Sequence, residues 1–274
     1  MDRQKVLAIV GPTGIGKTSL SVWLAKQLNG EIISCDSMQV YKKMDVGTAK
    51  VTKEEMQDIH HELIDVQNYD EPYNVKVFQE KCRTAIEDVV KRGKFPILCG
   101  GTGLYLKAAL YDYEFQEEEE DTAYTTYLNS KTNEELVAML EEKDAKALEK
   151  IHPNNRKRLI RALQICHSGT SKSEQEDKQQ HIPLYDVYFL GLDVNRDILH
   201  DRINKRVDIM FENGLVKEVE DLFTNPETWE HTSFQGIGYK EFKDYFLKEK
   251  SIEEVKTAIK THSRQYAKRQ YTWF

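Results

Sequence analysis

The chain has 274 residues, with 39 Lys and Arg against 46 Asp and Glu, a formal charge of -7, 39% hydrophobic and 31% charged residues. This composition excludes fibrous, disordered and membrane-spanning classes. A chain of this length buries roughly three quarters of its unfolded surface, so neither metal nor disulfide staples are required.

In chain order, Met1 to Lys5 runs straight into a short apolar segment with no signal peptide and no stretch of about twenty apolar residues, so a cytoplasmic location is expected. Lys5 to Val10 is a short, β-branched run ending at Gly11 and predicts a buried parallel strand. A helix follows from Lys17, with Leu20, Leu24 and Leu28 recurring along one face beside Trp23, and Asn29-Gly30 stops it. Glu31 to Cys35 predicts a second strand. Asn74 caps a helix whose apolar face is Val75, Phe78, Cys82, Ile86 and Val89 and which ends at Gly93. Phe95 to Cys99 gives a third strand, closed by Gly100-Gly101. Strands alternating with helices predict a parallel sheet with right-handed crossovers.

From about Tyr111 the pattern becomes polar and helical for some seventy residues. Thr132 and Glu135 form a capping box, a further helix runs through Arg158 to Cys166, and the polar stretch Ser168 to Gln180 reads as mobile. Asp186 to Val194 returns to a strand, and helices follow, among them Ile198 to Glu212 and Ile252 to Trp273. The expected organisation is therefore a core of residues 1–111 and 185–274 with a helical insertion domain at 112–184. Cys35, Cys82, Cys99 and Cys166 lack metal-ligand spacing and read as small buried hydrophobes.

Gly11-Pro12-Thr13-Gly14-Ile15-Gly16-Lys17-Thr18 fits G-x-x-x-x-G-K-T and lies between a predicted strand and a predicted helix, which is the context a phosphate loop requires. Glycines let backbone N–H groups surround an oxyanion, the helix N-terminus adds positive potential, Lys17 supplies a charge, and the Thr18 hydroxyl can hold Mg²⁺. A di- or triphosphate, nucleotide or otherwise, is the implied ligand, on an α/β fold of the P-loop NTPase-like kind. Asp36 follows the second strand, at the carboxyl end where such sheets bind ligands. There it can act as a base, as an indirect magnesium partner, or as the cap of the next turn. Gly100-Gly101-Thr102-Gly103 occupies the equivalent position after the third strand, as a substrate-contacting or a plain turn segment.

These segments resemble one family, the tRNA dimethylallyltransferases, also called tRNA isopentenyltransferases. The matching pieces are GPTGIGKT (Gly11 to Thr18), ISCDSMQVYKKMDVGTAK (Ile33 to Lys50), HELID (His61 to Asp65), GGTGLY (Gly100 to Tyr105), IHPNNRKRLIRAL (Ile151 to Leu163), RINKRVDIMFENGLVKEV (Arg202 to Val219), QGIGYKE (Gln235 to Glu241) and RQYAKRQYTWF (Arg264 to Phe274). Phosphate loops are common, but DSMQVYKKMDVGTAK beside GGTGLY is not.

The resemblance implies transfer of a dimethylallyl group from its diphosphate to the exocyclic amine of the adenosine 3′ of the anticodon. By that resemblance the residues from Gly11 to Thr18, Gly14, Gly16, Lys17 and Thr18 above all, cradle the diphosphate and its Mg²⁺. Asp36 is the general base, Thr102 lies between donor and base, and Arg206 adds charge to the departing diphosphate. Ser37, Met38 and Gln39 meet the extruded adenine. Lys157, Arg158, Leu159, Ile160 and Arg161 of the insertion, with Gln235 and Lys240, contact the anticodon arm. His60 and His61 are expected to be structural. The sequence departs from the family pattern at Glu117 to Asp121, where an acidic run replaces a D-P-x-x-R segment, at Asn155, where Asp is usual, and in stopping at Phe274, before its relatives do.

Charge is unevenly spread. Tyr111 to Asp121 carries seven acids and no base, whereas Val255 to Phe274 carries bases and no acid. Lys256, Lys260, Arg264 and Lys268, spaced by four on a helix, are expected to form a phosphate-facing stripe. A P-loop kinase is the rival enzyme reading, disfavoured because the third strand ends in Cys99-Gly100 rather than a metal-binding Asp. A non-catalytic RNA-binding module is the third, disfavoured by intact Lys17, Thr18 and Asp36. With no self-complementary apolar stripe evident, a monomer is expected.

Overall fold

The computed structural model describes residues 3–115 and 121–274, and the acidic residues 117–120 lie outside these. The chain divides into two compact units, one running to Tyr111 and resuming at Pro183, the other spanning Asp112–Ile182. The first contains a five-stranded sheet. Its strands are β1 (Lys5–Val10), β2 (Gly30–Ser34), β3 (His61–Glu62), β4 (Phe95–Gly100) and β5 (Asp186–Gly191), in the order β3-β2-β4-β1-β5. Every pairing is parallel, with Leu7 opposite Ile97 and Tyr188, and Ile32 opposite Ile97 and His61. A parallel sheet needs helices on its faces, and β2, buried throughout, shows the effect. β5 differs: it is an edge strand, with Tyr188 and Phe189 about half exposed.

The order places β4 between β2 and β1. The loops that leave the carboxyl ends of these neighbouring strands are the Asp36, Gly100-Gly101 and Gly11 segments, so the sheet itself gathers the three motifs at one crevice.

The helices follow their caps. Asn74 accepts from Lys76 and Val77 N–H at the start of Val75–Lys91, whose Phe78, Cys82, Ile86 and Val89 are buried. Helix Lys17–Leu28 is placed as expected, and Leu20 and Leu24 of the leucine face pack, half-buried, on the core that it covers, but its fully buried positions are others. Ser21, Val22 and Ala25 meet the sheet, while Trp23 and Leu28 are 58% and 44% exposed. The small side chains of Ser21 and Ala25 permit close approach to the strands. Gly14 and Gly16, with φ of 79° and 105°, occupy backbone conformations that favour glycine.

The second unit is all helical among its described residues. Asp121 caps Thr122–Asn129, Thr132 and Glu135 close a capping box on Asn133–Asp144, and Asn155 caps Arg156–His167 by accepting from Arg158 N–H at 3.3 Å. Asn serves this role as well as Asp does, so Asn155 preserves the helix start. Leu128, Leu136, Leu140, Leu159 and Leu163 form its core. The polar stretch after Ser168 is not structureless: Ser171 and Glu174 form a capping box on a short helix, Lys172–Lys178. Local capping outweighed the lack of apolar residues there.

Candidate active site

The phosphate loop is closed on itself. Lys17 Nζ donates to the carbonyls of Gly11 and Pro12 at 2.9 and 2.8 Å. Burial pushes the Lys17 ammonium pKa down, Cys99 and Asp36 pull it back up, and Arg206 adds to the depression. The Arg196–Glu212 helix lies over the loop: Arg202 donates to Ile15 O at 3.3 Å, and Arg206 donates to Thr13 Oγ1 at 3.1 Å and to Thr48 O at 3.3 Å. Burial lowers the Arg206 pKa, and Asp36 opposes that shift. A guanidinium keeps its proton regardless, so Arg206 is a fixed cation.

Asp36 follows β2, and its Oδ1 accepts from Met38 N–H at 2.8 Å and Gln39 N–H at 3.3 Å. The turn-capping role is therefore real. It uses one oxygen only, and Oδ2 has no hydrogen bond within the described residues, leaving a lone-pair site for a substrate proton. Thr102 precedes helix Gly103–Leu110 without capping it, and its side chain faces the Tyr266 phenol. Burial raises the Tyr266 pKa, with the Asp36 charge adding to the effect.

A cleft of about 340 Å³ opens beside Thr13, Asp36, Arg206 and Tyr266, whereas Gly14 to Thr18, Arg202 and Thr102 are not among the residues that line it. Thr13, Asp36, Thr48 and Arg206 form its polar end. Ile203, Val207, Met210, Ile237 and Ile259 give it an apolar wall, and Ser37, Met38, Gln235 and Lys240 line it further. Gln39 does not line it. Its amide donates to Thr48 O and Ala49 O at 3.4 and 3.2 Å and so braces the loop instead of facing a ligand.

The loop 36–50 is held by a polar scaffold. Lys50 Nζ binds Tyr41 O, Asp45 and Asp65 at 2.7, 2.6 and 2.6 Å. Glu218 accepts from the N–H groups of Asp45, Val46 and Gly47 at 2.8, 2.7 and 2.9 Å, and from the Tyr239 hydroxyl at 2.7 Å. A carboxylate is the side chain suited to so many donors. Gly47 sits against the fully buried Tyr239 ring, which an added Cβ would overlap. Gly47→Ala is expected to cost about 1–3 kcal/mol of stability, read as a lower denaturant midpoint at unchanged m-value.

Several expected contacts fall elsewhere. Of the basic stripe on the C-terminal helix Ile252–Trp273, Lys256 and Lys260 both pair with Asp208, at 2.8 and 2.7 Å, and Arg264 donates to Asn204 at 2.6 Å. Those three serve helix packing, because the adjacent Arg196–Glu212 helix presents partners at the same spacing; Lys268 remains exposed. In the insertion, Lys157, Arg158 and Arg161 are exposed. Leu159 is fully buried and Ile160 packs on the same core, so neither offers an RNA contact through its side chain. His60 and His61 bond to Glu62 and to Ile59 O, remote from the cleft lining. The cysteines are free, with Cys35 and Cys82 buried and Cys99 and Cys166 partly so.

Four side chains with no chemical signal in the chain pattern surround this site, Tyr266 lining the cleft and Arg202, Glu218 and Gln270 holding the loops about it. All lie inside the family-like segments, but nothing in their spacing shows which backbone groups they reach.

A parallel sheet with a G-x-x-x-x-G-K-T loop, a half-free carboxylate and an apolar-walled cleft at its carboxyl edge defines an α/β protein of the P-loop-like class. The IPP transferase family model matches residues 39–274. A tRNA dimethylallyltransferase of Bacillus anthracis is 50% identical over 279 aligned residues, covering 100% of this chain and 88% of that protein. Among solved structures, the full-length tRNA isopentenylpyrophosphate transferase of Bacillus halodurans is 43% identical with a TM-score of 0.74, covering 99% of this chain and 87% of that one. A eukaryotic dimethylallyltransferase acting on tRNA is 35% identical with a TM-score of 0.85, covering 98% of this chain and 69% of that one. The chain belongs to the IPP transferase family and is a transferase. Among the described residues, no helix is long and apolar enough to cross a membrane.

Proposed function

We infer that this enzyme transfers a dimethylallyl group from dimethylallyl diphosphate to the exocyclic amine of the adenosine 3′-adjacent to the anticodon of tRNA. The observation that carries the reading is the cleft, which joins a cationic, phosphate-loop end to an apolar wall and sets the open Oδ2 of Asp36 beside both.

In this reading the diphosphate lies on the amides from Gly14 to Thr18, with Lys17 turning from the Gly11 and Pro12 carbonyls to meet it. The C–O bond to the diphosphate breaks and its electron pair leaves with the diphosphate, against Arg206. The adenine amine forms the new C–N bond and gives its proton to Asp36. That lone pair is delocalised into the ring, so proton removal during bond formation matters. Ser37 and Met38 border the base, and Thr102 orients the junction through Tyr266. Mg²⁺ fits this donor set: the Thr18 hydroxyl is exposed at a helix N-terminus beside the loop and makes no side-chain hydrogen bond among the described residues. Bound there with diphosphate oxygens, the ion would neutralise leaving-group charge. Lys157, Arg158 and Arg161 supply RNA-binding charge on the insertion; at the cleft Lys240 supplies charge, and Gln235, whose amide nitrogen donates to Trp229 O at 2.7 Å, offers its side-chain oxygen as an acceptor.

The test is transfer of label from dimethylallyl diphosphate, with Mg²⁺, onto an anticodon stem-loop with adenosine after the anticodon. Labelled RNA is expected, and chelation of Mg²⁺ should abolish it. Phosphate release from ATP with no labelled RNA would replace this reading by the kinase one. RNA affinity should fall with salt by about 0.7 log units per decade for each single-strand phosphate contact; Lys157→Ala and Arg158→Ala should each reduce that slope.

A further inference from the structure

Gln270 lies near the end of the C-terminal helix, and its side chain is only 6% exposed. Its two amide atoms serve two different loops. Oε1 accepts from Thr13 N–H at 2.8 Å, and Nε2 donates to Gly101 O at 2.9 Å. Thr13 belongs to the phosphate loop after β1, and Gly101 belongs to the loop after β4. The β1–β4 pairing ends at Val10 opposite Gly100, so beyond that point the sheet no longer fixes the spacing of these loops. Gln270 takes over where the ladder stops.

The residue type fits the task. A primary amide accepts on one side and donates on the other, whereas a carboxylate only accepts and an ammonium only donates. The fit is tight, since an added Cβ at Gly101 would overlap the Gln270 amide and one at Gly103 would overlap the Trp273 indole on the same helix. Gln270 is absent from the cleft lining, while Tyr266, one turn earlier, is part of it.

We propose that Gln270 is a positioning residue for the transfer step: it sets the distance between the diphosphate loop and the Gly101–Thr102 loop, and so the register of donor carbon and acceptor amine, without touching either substrate. This rests on the prenyl-transfer reading above. The diphosphate is held by amides downstream of Thr13, so loss of Gln270 should spare its binding. The reaction itself depends on the approach of two reacting atoms, where an error of about 1 Å costs on the order of 10²-fold in rate.

The test compares wild type with Gln270→Leu and Gln270→Glu by single-turnover transfer at saturating donor and stem-loop, by calorimetric titration with Mg²⁺ and inorganic pyrophosphate, and by thermal unfolding. Gln270→Leu removes both bonds. Gln270→Glu keeps the acceptor for Thr13 but sets a carboxylate oxygen against Gly101 O. Both should slow transfer by about 10- to 100-fold, with pyrophosphate affinity within about threefold of wild type and unfolding midpoints above the assay temperature. A transfer rate within twofold of wild type for both variants would overturn the proposal. So would loss of pyrophosphate binding in step with the rate, which would make Gln270 a mere scaffold of the phosphate loop. Wild-type protein that binds pyrophosphate but transfers nothing would instead refute the prenyl-transfer reading, and the proposal with it.

Discussion

Asp36→Asn is expected to lower the rate of transfer by roughly 10²- to 10⁴-fold, the span typical of losing a positioned proton acceptor. Asn is the informative replacement because of what the other oxygen does. Oδ1 of Asp36 accepts from Met38 and Gln39 N–H, and an Asn side-chain oxygen can keep both bonds and the turn. Only basicity is lost. Ala would also release the turn and mix two effects. Single-turnover measurements on the stem-loop should show the rate falling while apparent affinities for donor and RNA stay within about threefold, the pattern of an interaction made only in the transition state. A variant that keeps wild-type turnover would remove Asp36 as the base and leave it as a turn cap alone.

Arg206→Gln should cost about 2–4 kcal/mol of transition-state stabilisation, roughly 30- to 1,000-fold in rate. The guanidinium reaches Thr13 Oγ1 and Thr48 O at once, tying the phosphate loop to the loop that carries Asp36. In the proposed transfer it is also the permanent cation where negative charge would grow on the leaving diphosphate. Because that charge is larger in the transition state than in the bound donor, kcat should fall more than KM rises. Arg206→Lys should recover only part of the loss, since an ammonium cannot reproduce the planar fork that meets both partners. A change confined to KM would mean that Arg206 binds the donor without assisting its departure.

Much of the site could be read from the chain because its parts are local. The phosphate loop is contiguous, its glycines are required by backbone geometry over a few residues, and its place between strand and helix follows from apolar periodicity. Asp36 and Gly100-Gly101 could be placed by the rule that ligands meet a parallel sheet at its carboxyl edge. Gln39 shows where such reading fails. A polar residue three positions after the candidate base looks like an adenine-reading group, yet its amide braces Thr48 and Ala49. Lys256, Lys260 and Arg264 fail in the same way: their spacing gives one helix face, but not whether that face meets RNA or Asp208 and Asn204 on a neighbour.

By itself, then, the sequence determined the alternation of strand and helix, the start and stop of the capped helices, the phosphate loop and the candidate base, all of which depend on interactions within a few residues. Tertiary structure alone decided the strand order that gathers three loops at one edge of the sheet and the full burial of Ser21, Val22 and Ala25 where Leu20 and Leu24 are only half-buried. It also decided the roles of Glu218 and Gln270, whose partners lie about 170 and 257 residues away in sequence. The physical reason is common to these cases. A hydrogen bond or a close packing contact depends on position in space, and chain pattern fixes position only as far as a helix or strand extends.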